Sequence, residues 1–136
     1  MEATLNSESK QVEAITINNQ SIQVSSEVRA QISAKISELK AQSGVKHVFV
    51  VIVEGDVEAG EKPLYIAYFR RPNMMQFSQY MSFVQKDVVQ ASKMLAQNTF
   101  LDGDRALIDD EDMFLYGTMQ QLNHIIDSRN SDIVKR

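Results

Sequence analysis

Carboxylates crowd one stretch of this chain: Asp102, Asp104, Asp109, Asp110, Glu111 and Asp112 fall within a single short segment. Acids at this density can hold calcium, or can work as a general acid–base pair. An EF-hand loop takes oxygen ligands at its first, third and fifth positions, glycine at the sixth and glutamate at the twelfth. With Asp102 and Asp104 in the first and third places, Ala106 falls fifth and Leu107 sixth, so the loop fails twice. A catalytic carboxylate pair needs a partner base, nucleophile or metal ligand, and none stands beside these acids. A turn leading into an acid-capped helix accounts for the same residues, because carboxylates at a helix start complement the positive end of its dipole.

The other reactive side chains give no stronger signal. His47 and His124 are the only histidines, they sit on different elements, and neither belongs to an HExxH motif or another zinc spacing. The absence of cysteine excludes thiolate metal sites, disulfides and a Cys nucleophile. Arg70 and Arg71 follow the aromatics Tyr65, Tyr68 and Phe69, which loosely resembles the aromatic interleaving of RNA binders. Those aromatics lie in an apolar run that a core needs, and the glycine pattern of an RNA-recognition strand is missing. No GxxxxGK or GxGxxG phosphate loop occurs. The residues therefore predict no catalytic site, no metal and no cofactor.

Methionine is the more informative residue. Met74, Met75, Met81, Met94, Met113 and Met119 all fall in the second half of the chain. Their flexible thioethers fill irregular cores, and they also line surfaces that accept varied apolar helices. Met74 and Met75 stand together at a helix start, where burying both is difficult.

At 136 residues the chain is long enough for one core. We expect a polar tail over 1–13, a single α+β domain over 14–127 and a fraying end over 128–136. A hydrophobic fraction of 43% with 24% charged residues is that of a soluble globular protein. Its 18 acids against 14 bases leave a formal charge of −4, which opposes nucleic-acid binding. No apolar run approaches the ~20 residues that cross a bilayer, and the first residues lack the pattern of a secretory signal. No membrane contact and a cytoplasmic location are the expectation.

The elements that would carry these residues read as follows. Ile15 and Ile17, then Ile22 and Val24, alternate with polar residues around Asn18-Asn19-Gln20, predicting a short hairpin. Ser25 or Ser26 caps a helix whose stripe is Val28, Ile32, Ile36 and Leu39, and Gly44 ends it. Val48–Val53 is a continuous apolar run and reads as a central strand covered on both sides. Beyond an acidic loop, Leu64–Phe69 pairs with it, and Pro72 stops the strand. Asn73 with Gln76, then Asp87 with Gln90, are cap patterns, so Met74–Asn98 holds two short helices or one bent one. Phe77, Met81 and Val84 form the first stripe, widened by Tyr80 and Phe83. After Gly103 a last helix begins with Asp109 as its cap, Ile108 and Met113 as a hydrophobic staple, and Leu115, Met119, Leu122 and Ile126 as its stripe. The sum is an α+β fold: a small antiparallel sheet built on the apolar hairpin, which the N-terminal hairpin can join, packed against about four helices.

Three motifs, taken together, resemble one family. They are Ala67-Tyr68-Phe69-Arg70-Arg71-Pro72, the segment from Gln85 to Ala91, and Asn98-Thr99-Phe100-Leu101-Asp102-Gly103-Asp104, followed by the acidic start Asp109-Asp110-Glu111-Asp112-Met113-Phe114. This pattern is similar to that of the small tail assembly chaperone-like proteins of tailed bacteriophages and prophages, over roughly residues 35–127. Thr99-Phe100 stands where that family often has Cys-Trp, and residues 1–28 have no counterpart. The resemblance implies a non-catalytic protein of the host bacterial cytoplasm that binds the tape-measure protein, tail-tube subunits or both, with self-association as a further option. A structural virion component, such as a tail or head–tail joining protein, and a generic protein-binding adaptor are the alternatives. The implied partner-binding residues are Met74, Met75, Phe77, Met81, Met94, Met113 and Met119, in a groove between the helices carrying Met74–Met94 and Met113–Met119.

Overall fold

The computed structural model describes residues 12–17 and 20–122, with side chains from residue 25 onward. The expected tails, the turn at Asn18-Asn19, His124 and Ile126 lie outside the described residues. The chain divides into two compact units, Met1–Lys46 and His47–Arg136.

In the first unit, β1 (Val12–Ile17) and β2 (Gln20–Ser25) pair antiparallel with Ile15 opposite Ile22. This is the hairpin that the alternation predicts. Helix α1 (Ser26–Ser43) follows at once. Of the two candidate caps, Ser25 serves: its Oγ accepts the Val28 N–H at 3.1 Å. Gly44, at φ 73°, closes the helix by donating to the Lys40 carbonyl. Ile32 and Leu39 are buried, and Val28 and Ile36 are half-buried.

The second unit is built on a three-stranded antiparallel sheet in the order β3 (Val48–Glu54), β4 (Leu64–Arg70), β5 (Phe100–Gly103). The α+β class holds. Strand β4 is the central one, however, and β3 lies at an edge. Its apolar run resembles a central strand because its outer side is closed by protein. Gln121 accepts the Ile52 N–H through Oε1 at 3.3 Å and donates Nε2 to the Ile52 carbonyl at 2.8 Å, as a neighbouring strand would. Val50, Val51 and Ile52 are consecutively buried.

Strand β5 occupies part of what the sequence presents as an acidic turn. Gly103 has φ 117°, and a Cβ there would sit 2.5 Å from the Ile66 carbonyl oxygen and 2.6 Å from the Ala67 Cα. Only glycine allows this approach of two backbones. Asp104 then clamps the join. Its Oδ2 accepts the Ile66 N–H at 2.9 Å, its own N–H donates to the Ile66 carbonyl at 2.9 Å, and Oδ1 pairs with Lys62 at 2.6 Å.

Helices α2 (Met74–Val84) and α3 (Val88–Thr99) are separate, which settles the choice left open by the sequence. Each has the expected cap. Asn73 and Gln76 form a reciprocal capping box, and Asp87 Oδ1 accepts the Gln90 N–H at 3.1 Å. The inward stripe of α2 centres on buried Tyr80, with Phe77, Phe83 and Val84 half-buried, whereas Met81 faces out. Tyr80 meets Ala91 and Leu95 of α3.

A short helix α4 (Ala106–Asp109) precedes α5, which begins as Glu111–Met113, widens into a π-helical turn over Phe114–Thr118 and resumes over 119–122. Its cap is Asp110, whose Oδ1 accepts the Met113 N–H at 3.0 Å; Asp109 is the last residue of α4. The π turn has a physical cause. The buried residues come in pairs four apart, Met113-Phe114, Gly117-Thr118 and Gln121-Leu122. A straight α-helix would rotate each successive pair away by about 40°. A wider turn, in which the Met119 N–H reaches back to the Phe114 carbonyl, keeps all three pairs on the sheet. Gly117 sits at the closest approach, where a Cβ would come within 2.7 Å of Val53 Cγ2. The expected stripe is therefore rotated: Leu115 and Met119 are half-buried, and polar Thr118 and Gln121 are inside. The core joins Val51, Ala67 and Phe69 of the sheet to Leu107, Ile108, Phe114 and Leu122.

Candidate functional site

The side chains that set α2 in place come from the end of β4. Arg70 donates Nη1 to Gln76 Oε1 and to the Arg71 carbonyl, both at 3.1 Å, and Nη2 to the Asn98 carbonyl at 2.7 Å. Gln76 Oε1 also accepts the Asn73 N–H at 3.0 Å, completing the capping box. One guanidinium thus ties the strand end to the start of α2 and to the negative end of α3. Arg71 lies over the Phe49 ring with its guanidinium carbon 5.7 Å from the centroid, and Pro72 is buried. The Arg-Arg-Pro sequence does more than end a strand: it fixes the helix pair on the sheet.

Held in this way, α2 turns an apolar face to water. Met74, Met75 and Met81 are 79%, 70% and 48% exposed, with exposed Ser78 and Ser82 between and beside them. Single exposed apolar residues are ordinary; these three stand together on one face of one helix. Of the other residues implied to bind a partner, Phe77 and Met94 are half-buried. Met113 is buried in the sheet core and Met119 packs against it, so neither contributes to that face. The seven residues do not line one groove. Tertiary packing separates them because Met113 fills the space beneath α4 and α5, while α2 packs on α3 through Tyr80.

Between α3 and the junction of α4 with α5 lies a cleft of about 330 Å³, lined by Val89, Gln90, Lys93, Asp109, Glu111, Phe114 and Leu115. None of the implied methionines reaches it. Lys93 Nζ stands 5.9 Å from the Phe114 ring centroid, and Asp109 is in an exposed i,i+4 pair with Arg105 at 3.4 Å.

The acidic segment resolves into structural duties: Asp104 clamps β4, Asp110 caps α5, and Glu111 and Asp112 lie in the first turn. Among the described residues no group of three or more His, Cys, Asp or Glu side chains is placed to hold a metal ion. His47 is exposed beside β3. No helix among the described residues is long and apolar enough to cross a membrane.

Residue typing alone overlooked Ser78 and Ser82, the small positions within the methionine face. A signal for them exists: from Met74 to Gln85 no residue carries a charge, in a chain that is 24% charged. Arg70 and Gln121 were also missed in their positioning roles, because both depend on partners far along the chain. Comparison with protein-family models, with curated proteins and with solved structures finds no match.

Proposed function

We propose that this chain is a non-catalytic assembly chaperone of a tailed bacteriophage or prophage, acting in the bacterial cytoplasm. Its client is an extended amphipathic helix, as in a tape-measure protein, with tail-tube subunits as further partners. The reading rests on the motif resemblance, and the observation that carries it to a surface is the exposed methionine face of α2. Such a client must be covered reversibly, which calls for an adaptable apolar surface without charges that would need pairing.

Met75→Asp and Met81→Asp test this reading, because a carboxylate on the face repels an apolar helix while leaving the Tyr80 side of α2 intact. Each is expected to weaken co-purification with a tape-measure fragment by about tenfold or more, with the urea midpoint nearly unchanged. Undiminished capture by a folded variant would remove the face from the proposal. Mass spectrometry of purified virions addresses the role itself: a chaperone is absent from mature particles, and abundant copies there would make the chain a structural component instead.

A further inference from the structure

We infer that Met74, Met75 and Met81 are sites of reversible sulfoxidation, through which a peroxide turns the outer face of α2 from apolar to polar without unfolding the chain. The inference rests on α2 and its packing, and stands whether or not the chaperone reading does.

The fold sorts the thioethers by access. Met74, Met75 and Met81 are 79%, 70% and 48% exposed, whereas Met113 is 9% exposed within the sheet core. Met94 and Met119 are half-buried and fall between. A peroxide must touch sulfur to oxidise it, so the three sulfurs of α2 react first. In the step an S–O bond forms as the O–O bond breaks; sulfur is oxidised and hydrogen peroxide is reduced to water. The chain contains no cysteine, so no thiol competes for the oxidant. The product is a polar, chiral sulfoxide in place of a flexible apolar side chain.

The change stays on one face because of where sulfur is absent. At about 100° per residue, Met81, Met74 and Met75 fall within an arc of about 120°, with Tyr80 nearly opposite its centre. On the inner side, Tyr80, Phe83 and Val84 of α2 meet Ala91 and Leu95 of α3, and none of these carries sulfur. The groups that fix the helix start are Asn73, Gln76 and Arg70, which peroxide does not alter under the same conditions. Oxidation therefore spares both the packing and the caps of α2. Its effect on the outer face is large, because no residue from Met74 to Gln85 is charged and the thioethers supply the apolar character there.

The test treats the full chain with hydrogen peroxide and follows each methionine by peptide mass spectrometry. Met74, Met75 and Met81 are expected to gain oxygen at least about tenfold faster than Met113. The urea midpoint of the chain oxidised at these three should match that of the untreated chain, and its retention on a phenyl column should shorten. The two methionine sulfoxide reductases, one for each sulfoxide epimer, should restore both mass and retention. A chain carrying Met74→Leu, Met75→Leu and Met81→Leu keeps an apolar face without sulfur, so the same peroxide dose should leave its retention nearly unchanged. Three results would overturn the inference: Met113 oxidised as fast as the face, a midpoint that falls in step with oxidation of the face, or equal shortening of retention in the leucine variant.

Discussion

Gly103 and Gln121 act at the two edges of the sheet, one through backbone geometry and the other through paired hydrogen bonds. At Gly103 the positive φ and the 2.5 Å approach to the Ile66 carbonyl act together. Gly103→Ala is expected to cost about 2–4 kcal/mol, read from urea unfolding. Gln121 serves two backbone groups at once. In Gln121→Leu the Ile52 N–H and carbonyl stay buried without partners, at about 1–3 kcal/mol each. Gln121→Glu separates the hydrogen-bonding role from the packing role. A protonated glutamic acid can donate to the Ile52 carbonyl and accept its N–H, whereas the carboxylate has no proton to donate and is penalised by burial. Burial raises the folded-state pKa above the unfolded value of about 4.3. The variant's contribution is thus full below that pH and is lost as pH rises through the folded pKa. Its deficit against the parent chain should be larger at pH 7 than at pH 4.5.

At the scale of elements, the junction of α4 and α5 tests how the acidic segment works. Asp110 caps α5 with a hydrogen bond to the Met113 N–H, while Asp109 makes only an exposed pair with Arg105. Asp110→Ala should lose about 1 kcal/mol of stability. Asp109→Ala should lose a few tenths at most, as exposed i,i+4 pairs do. The reverse order would return the cap to Asp109. Helix α2 shows a different principle. Its capping box and the Arg70 tie fix where it starts and how it lies, with Tyr80 turned inward and Met74, Met75 and Met81 turned to water.

The whole molecule consists of two units, and the second has a sheet, helices and core of its own. Val51, Phe69, Leu107, Phe114 and Leu122 all belong to His47–Arg136. A fragment of those residues is expected to unfold cooperatively in urea and to keep the helix and strand signals of its elements by circular dichroism. A gradual, non-cooperative transition would show that this core needs the first unit. The motifs that carry the family resemblance have structural work within this unit: Arg70 joins the helix pair to β4, and Gly103 with Asp104 joins β5 to it.

Local signals alone determined a good part of this protein. Alternation about Asn18-Asn19, the caps Asn73 and Asp87, the stop at Pro72 and the glycine after α1 each act within a few residues, so they are legible in order along the chain. The α+β class follows from them. What only the tertiary structure decided depends on residues distant in sequence. Val48–Val53 reads as a central strand because nothing local announces that Gln121 stands in for its missing neighbour. The acids after Phe100 read as a turn because the pairing of β5 depends on Ile66 and Ala67. The sequence put Met81 on an apolar helix stripe and Met113 in a hydrophobic staple, with both among the partner-binding residues that the resemblance implies. The fold buries Met113 and leaves Met81 in water, because a helix stripe states only that a face is apolar, and packing decides which apolar face the molecule covers itself.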